Sequence, residues 1–559
     1  MHRTKVVGAL AGVAAISCSA VAIAQISSGV PNANPRTGSP VNIVAPGAFE
    51  QPLVHGTDQI ENPMGPITRY GYLNDELPVS AGGTGEPTKT EPDGNTYLRM
   101  HRPGGPTAGY DYGRHFLFQS HENGKLNTGA NGFQAYITRI NLDVQDPAHR
   151  VTLLTTPDTA GNTGFTRLDG STYDPFSGEI LGAQEGNGTT GGVIGNEVKW
   201  SSTSPPATHT YYGSIGRAGY EGIHNDSDGN LLLVEDVGGS NVIDPAHPEI
   251  GAKTKQPNSF VYRFVPTAPG NLNTGKLQAL RVTVDGTVVS FHGTGGCADG
   301  SGRTSVDDTF GPEMLKLHSG ASFATKWVTL HNTATDGTTP FDANALAKAA
   351  CTTPFKRPEN FAFVPHTRFR SLVFDETGDT NADAGHDPNA AARGAWGSLY
   401  RLDFDSTGSA TGSIKALVNG DEAHASFDTL TFLDEDTVLT GEDRGETLHT
   451  QLDRLDSLWS FDITRPLGSI SADAKRVVAQ GRDPSATANA EHLPPNSGSS
   501  NNPSNFNNDG DNEVTGVHAS DGDDDVSGLL GTKQVRPGAR LFYTQQHGDN
   551  VTYQIIGLD

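Results

Sequence analysis

Residues 221–236, EGIHNDSDGNLLLVED, begin with an acid, run through a strand-like segment to a turn at Asp228-Gly229, and return along an apolar run to a pair of acids. Short apolar runs bounded by Asp and Gly turns are typical of β-strands. The stretch therefore predicts an antiparallel hairpin that carries carboxylates at one end.

This acid, strand, turn, strand, acid unit recurs along the chain. Five or six such hairpins predict an all-β fold, a β-propeller of about six blades with long loop insertions. Clear copies lie at residues 169–185, 221–236, 359–376 and 428–443, a looser copy at 512–523 and 539–547, and a partial copy at 114–123.

Composition supports this fold class. The 559 residues include 68 Gly and 34 Pro, only 34% are hydrophobic, and helical periodicity is nowhere sustained. We expect three regions: a signal peptide at 1–24, an N-terminal extension wrapping the propeller at 25–100, and the propeller at 101–559, which contains insertions near 285–351 and 482–511.

The N-terminus has the pattern of an export signal: basic residues, an apolar run over 6–16, and small residues at 22–24. We expect cleavage after residue 24 and a secreted or periplasmic protein, with a lipid anchor on Cys18 as the alternative. No stretch is long and apolar enough to predict a membrane span. The formal net charge of −25 disfavours nucleic acid as a partner. Beyond the signal only Cys297 and Cys351 remain, so the chain can form at most one disulfide, and the sequence does not decide whether it forms.

A propeller brings the acids of all hairpins to one end of its central channel. Such a ring of carboxylates needs cations, and calcium accepts six to eight oxygen ligands. The acidic run at 521–525 is a candidate for a separate calcium loop. The predicted metal ligands are Glu185, Glu221, Glu235, Asp236, Glu359, Glu376, Asp428, Glu442, Asp443 and Glu513.

Arg357, two residues ahead of Glu359, is a candidate phosphate contact, because guanidinium binds phosphate oxygens bidentately. Arg217 is a weaker candidate. Histidines near the repeat acids are possible ligands for a transition metal, although none forms a pair at metal-binding spacing. They are His121, His224, His424 and His547.

The segments GRAGYEGIHNDSDGNLLLVED, NSFVYRFVP, KRPEN with FDETGD, GSLYRLDFD and FDTLTFLDEDTVLTGED, in this order, resemble the PhoX-type secreted bacterial alkaline phosphatases. The resemblance implies a six-bladed propeller that hydrolyses phosphomonoesters with calcium and an iron pair. It implies that Arg357 contacts the phosphate and that Glu359 and Glu221 bind metal, which makes these three the expected catalytic residues. Ala183 and Gln184 stand where the family has its iron-bridging cysteine and its neighbour, which favours calcium over Fe3+.

Three functions follow as hypotheses. The first is a monomeric, calcium-dependent phosphohydrolase acting on a small phosphate ester. The second is a calcium-dependent lactonase or phosphodiesterase, since one fold hosts several chemistries. The third is a non-catalytic calcium-binding propeller. No G-x-S-x-G, P-loop or H-E-x-x-H motif occurs, which disfavours serine-hydrolase, nucleotide-binding and zincin chemistry.

Overall fold

A computed structural model describes most of the chain. The proposed signal peptide, the insertion at 482–511, His547, Asp524 and Asp525 lie outside the described residues. The described ranges are 29–30, 42–62, 69–71, 90–101, 103–122, 135–155, 167–200, 209–468, 473–481, 513–523, 539–546 and 550–558.

Six groups of antiparallel strands form the blades of a propeller, which confirms the predicted fold. Blade 1 consists of Pro92–Arg99, His115–His121, Tyr136–Asn141 and Val151–Leu153, with Ile60–Glu61 parallel to the last strand. Blade 2 consists of Leu168–Asp174, Glu179–Gln184, Gly192–Glu197 and His209–Tyr211. Blade 3 consists of Tyr220–Asn225, Leu231–Glu235, Val261–Pro266 and Gly275–Val284.

The second half repeats this plan. Blade 4 consists of Phe361–Phe363, Ser371–Glu376, Ser398–Phe404 and Thr411–Asn419. Blade 5 consists of Phe427–Phe432, Thr437–Glu442, Ser457–Asp462 and Lys475–Ala479, with Ile43–Val44 at its edge. Blade 6 consists of Glu513–Ser520, Arg540–Gln546, Val551–Ile556 and Phe49–Val54.

The first-named strand of each blade is its inner strand, and each inner strand contacts those of the neighbouring blades, so that the six enclose a channel. Phe49–Val54 closes the ring because it adds an N-terminal strand to three C-terminal strands in blade 6. Since Phe49–Val54 and Pro92–Arg99 belong to blades, strands from the expected N-terminal extension are part of the propeller itself.

Blades pack face to face, so most strands are buried on both faces. The run Leu231–Glu235 is buried throughout, and Leu232 and Val234 pack with Phe361 and Phe374 of blade 4. Double burial explains why this strand is continuously apolar instead of alternating.

The region near 285–351 forms ordered structure between blades 3 and 4. Its strand Phe323–Asn332 pairs with both Gly275–Val284 and Thr411–Asn419, which joins the two blades into one sheet. Cys297 and Cys351 form a disulfide, with 4.7 Å between their Cα atoms.

The remaining elements lie in connections. The hairpin Asn241–Ile243 and Ala252–Lys255 follows the second strand of blade 3, and Thr287–Val288 pairs with Gly275–Val284. The described α-helices are Pro147–Arg150, Ser305–Phe310, Pro312–Leu317, Thr333–Asp336, Ala343–Ala349, Ala382–His386, Pro388–Ala391 and Gly445–Leu452; Gly213–Ile215 and Pro248–Ile250 are 3-10 turns. Within the described residues, no helix combines the length and apolarity that a membrane span requires.

Candidate metal centre

One set of carboxylates comes from the beginnings of the inner strands. Asp93, Asp169, Glu221 and Asp428 are each the second residue of their strand. In all four blades the pairing register with the next strand shifts at that position. A β-bulge redirects the side chain it carries. The fifth member, Glu359, lies two residues ahead of Phe361–Phe363.

Glycine after the acid allows neighbouring inner strands to approach closely. A Cβ added to Gly94 would lie 2.6 Å from the carbonyl oxygen of Asp169, and one added to Gly170 would overlap that of Glu221. A Cβ added to Gly222 would likewise lie 2.9 Å from the carbonyl oxygen of Glu359. The acid-glycine pairs therefore bring successive carboxylates together around the channel.

A second set of carboxylates follows the second strand of blades 1, 2, 3 and 5. In each of these blades the backbone N–H of the acid donates to the carbonyl oxygen of the residue immediately ahead of the inner strand, two positions before the inner-strand acid; the donors are Glu122, Glu185, Asp236 and Asp443. These acceptors are Glu91, Arg167, Gly219 and Ser426, and the equivalent bond in blade 4 runs from Thr377 to Arg357. The shared bond shows that the acids occupy equivalent positions at one end of the channel.

The two sets meet in three groups with oxygens close enough to share a cation. In each group the ligand atoms lie within 4.8 Å of one another. Asp169 and Glu221 each belong to two groups, so the three sites are contiguous. The groups are Asp93, Glu122 and Asp169; Asp169, Glu185 and Glu221; and Glu221, Asp236 and Glu359.

Burial and like charge make these carboxyls hard to ionise. Burial, and then Asp169 and Glu359, raise the pKa of Glu221 well above its usual range. Burial, and then Asp236, raise the pKa of Glu185 to about 8. Burial raises the pKa of Glu359 to about 8 even though Arg357 opposes it. A bound cation would reverse these shifts.

Arg357 is the principal cation within this ring. Its Nε and Nη2 donate to the Asp236 carboxylate at 2.7 and 3.1 Å, and Nη2 lies 2.6 Å from Glu359 Oε1. Nη1 is buried and donates to no described residue. Burial would lower the pKa of Arg357, but Asp236 and Glu359 raise it further above its usual range. The guanidinium is therefore charged and held by two carboxylates.

Three further predicted ligands lie near these groups. Asp428 is hydrogen bonded to Glu359, and burial and then the charges of Glu359 and Glu513 raise the pKa of Asp428. The charge of Asp443 also raises the pKa of both Asp428 and Glu359. Asp443 Oδ1 accepts a hydrogen bond from the N–H of Gly445. The structure therefore places Asp428, Asp443 and Glu513 within electrostatic reach of the ring.

The remaining three predicted ligands have other contacts. Glu235 accepts hydrogen bonds from the Tyr262 hydroxyl and the Asn344 amide, and burial raises its pKa to about 7. Glu376 accepts the N–H of Lys356 at 2.7 Å, and Glu442 pairs with Arg444 at 2.7 Å.

The reason lies in strand geometry. Successive residues of a strand point to opposite faces, so the neighbours Glu235 and Asp236, or Glu442 and Asp443, are not expected to reach the channel together. Glu376 occupies the Glu235 position of its blade, because each ends the second strand of its hairpin.

Sequence reasoning missed three members of the groups, Asp93, Glu122 and Asp169. The partial copy at 114–123 omitted the inner strand of blade 1, which carries Asp93, whereas Glu122 lies within that copy and Asp169 begins the copy at 169–185. The pairs Asp93-Gly94 and Asp169-Gly170 match Glu221-Gly222, and this dipeptide was the available signal.

The other candidates are placed as follows. His121 bonds to the Thr90 and Thr138 hydroxyls, and His424 bonds to Asp421. Burial lowers the pKa of His224 to about 4, and its Nδ1 lies 3.3 Å from Thr172 Oγ1. Arg217 donates to the Tyr211 hydroxyl at 3.0 Å. Asp521 and Asp523 line the channel cavity together with inner-strand residues such as His224, Asn225 and His518.

Comparison with known proteins gives a structural relation. No family model and no curated protein sequence matches the chain. Among solved structures, the chain is similar to Pseudomonas fluorescens PhoX in complex with vanadate, a transition state analogue. The TM-score is 0.52 and the identity is 12%, over 94% of this chain and 97% of the other. At this identity the similarity supports the propeller fold.

Proposed function

We propose that this protein is a secreted, metal-dependent phosphohydrolase that cleaves phosphomonoesters at the carboxylate channel. The observation that carries the proposal is the placement of Arg357 within a buried ring of carboxylates, with Nη1 left without an acceptor among the described residues. A catalyst of phosphoryl transfer needs cations and a fixed positive donor where charge develops. The vanadate complex of the structurally similar PhoX is consistent with this chemistry.

The donor set fits hard divalent cations. All ligand atoms of the three groups are carboxylate oxygens, and burial together with like charge raises the pKa values of Glu221 and Glu185, so the ionised cluster would be stabilised by bound cations. Calcium prefers such ligands. When bound, calcium would polarise the phosphoryl group and lower the pKa of a water nucleophile. Ala183, buried at the end of Glu179–Gln184, offers no thiolate, so we propose calcium without the bridged iron pair.

The carboxylates around Arg357 then have two roles. Glu221 and Glu359 hold cations, and Asp236 with Glu359 fixes the plane of the Arg357 guanidinium. A guanidinium held in this way keeps Nη1 as a donor for a phosphoryl oxygen, and a fixed donor of this kind stabilises negative charge that develops in the transition state.

Substitutions can separate phosphate binding from metal binding. Arg357→Ala should lower kcat for an aryl phosphate by about 100-fold or more with calcium content intact. Glu221→Gln and Glu359→Gln should lose both activity and calcium. Arg465→Ala, at an exposed ion pair with Asp462, is the matched control and should leave both unchanged. Turnover and elemental analysis of the same preparations measure the two properties.

An inactive wild-type protein with calcium bound, across neutral to alkaline pH, would contradict the proposal. The non-catalytic calcium-binding propeller would then be the better hypothesis. Activity on lactones or phosphodiesters in place of monoesters would support the second enzymatic alternative.

A further inference from the structure

Lys255, Lys356 and Arg357 lie on one side of the ring, and two of these three cations are paired with carboxylates. Lys356 Nζ lies 2.7 Å from Asp379 Oδ2, with both side chains buried. Arg357 is held by Asp236 and Glu359. Lys255 has no carboxylate within 4.0 Å in the described part of the chain; its Nζ donates to the Thr380 hydroxyl at 3.2 Å.

The backbone holds Lys255 in position. It is the last residue of Ala252–Lys255, and its N–H donates to Asp379 Oδ1 at 2.8 Å. Its Nζ lies 3.9 Å from the position that a Cβ on Gly238 would occupy, two residues after Asp236. A half-buried ammonium is therefore fixed next to the loop that carries the Arg357 partner.

We propose that Lys255 is a second phosphate-binding residue, which binds an anionic oxygen of the substrate at the site where Arg357 Nη1 binds another. This inference rests on the proposed function. Neither Lys255 Nζ nor Arg357 Nη1 bonds to a carboxylate among the described residues, and the charge of Arg357 disfavours the protonated form of Lys255. Burial, followed by the Arg357 charge, lowers the pKa of Lys255, although Asp379 and Asp236 oppose this shift. An anion bound between Lys255 and Arg357 would further favour the charged form of Lys255.

Binding of inorganic phosphate to calcium-loaded protein, freed of excess calcium by gel filtration, tests the proposal without requiring turnover. By titration calorimetry, Lys255→Met should weaken phosphate binding at least 10-fold, and Lys255→Arg should stay within about 3-fold of wild type. In activity assays, Lys255→Met should also have a higher KM for an aryl phosphate than the wild type. Lys253→Met is the matched control: Lys253 lies two residues away, is exposed and pairs with Asp383 at 3.5 Å. It should bind phosphate as wild type does.

The outcomes separate the two proposals. Equal phosphate affinity of wild type and Lys255→Met, at equal calcium content and melting temperature, would overturn the role of Lys255 and leave the proposed function standing. A wild-type protein that binds calcium but no phosphate would overturn both. An equal loss in Lys253→Met would show a general charge effect and also overturn the specific role.

Discussion

Replacing Glu185 by glutamine should stabilise the metal-free protein. Glu185 follows the second strand of blade 2, its side chain is 17% exposed, and burial and Asp236 raise its pKa from 4.5 to about 8. The folded state therefore binds more protons than the unfolded state between these pH values, so stability falls as pH rises through this window. Above pH 8 Glu185 is ionised in the folded state, and the full loss of stability is present.

The magnitude follows from linkage. At pH 7 a carboxyl that titrates at about 8 instead of 4.5 costs the folded protein about 3 kcal/mol, and near pH 5 the cost falls below about 1 kcal/mol. Glutamine has nearly the same shape and no charge. Glu185→Gln should thus be about 3 kcal/mol more stable than wild type at pH 7 in EDTA.

Urea denaturation at pH 5 and pH 7 in EDTA measures the difference. Glu197→Gln, an exposed glutamate in the same blade, is the control and should change stability by less than about 0.5 kcal/mol. In saturating calcium the sign should reverse, because the substitution removes a ligand. If Glu185→Gln were no more stable than wild type in EDTA at pH 7, the crowding of buried charge inferred from the structure would be wrong.

Two further predictions follow from the same channel. Chelation should lower the melting temperature of the wild type by several degrees or more at constant ionic strength, since it leaves like charges without counter-ions; an unchanged midpoint in differential scanning calorimetry would mean that the carboxylates bind no structural cation. Gly170→Ala should destabilise the protein by about 1–3 kcal/mol and lower its calcium content, because the added Cβ would overlap the Glu221 carbonyl oxygen. The control Gly238→Ala, whose Cβ would have no atom nearer than 3.9 Å, should cost less than about 1 kcal/mol. Equal effects of the two substitutions would refute the close approach of neighbouring inner strands at Gly170.

Local sequence determined the repeating unit and hence the propeller. A strand, a Gly-containing turn and a second strand are encoded within about 16 consecutive residues, as in residues 221–236, so the hairpins were predictable without knowledge of the rest of the chain. The same locality placed acids at one end of each hairpin, where the structure gathers Glu185, Glu221, Asp236 and Glu359.

Tertiary structure alone decided which acids face one another. The bulges that redirect Asp93 and Asp169, and the alternation that separates Asp236 from Glu235, depend on pairing between strands and packing between blades. Closure by Phe49–Val54 and the Cys297–Cys351 bond join residues far apart in sequence. So does the pairing of Arg357 with Asp236, which lies 121 residues away. Contacts of this range carry no periodic signal, because they form only when segments distant in sequence pack against one another.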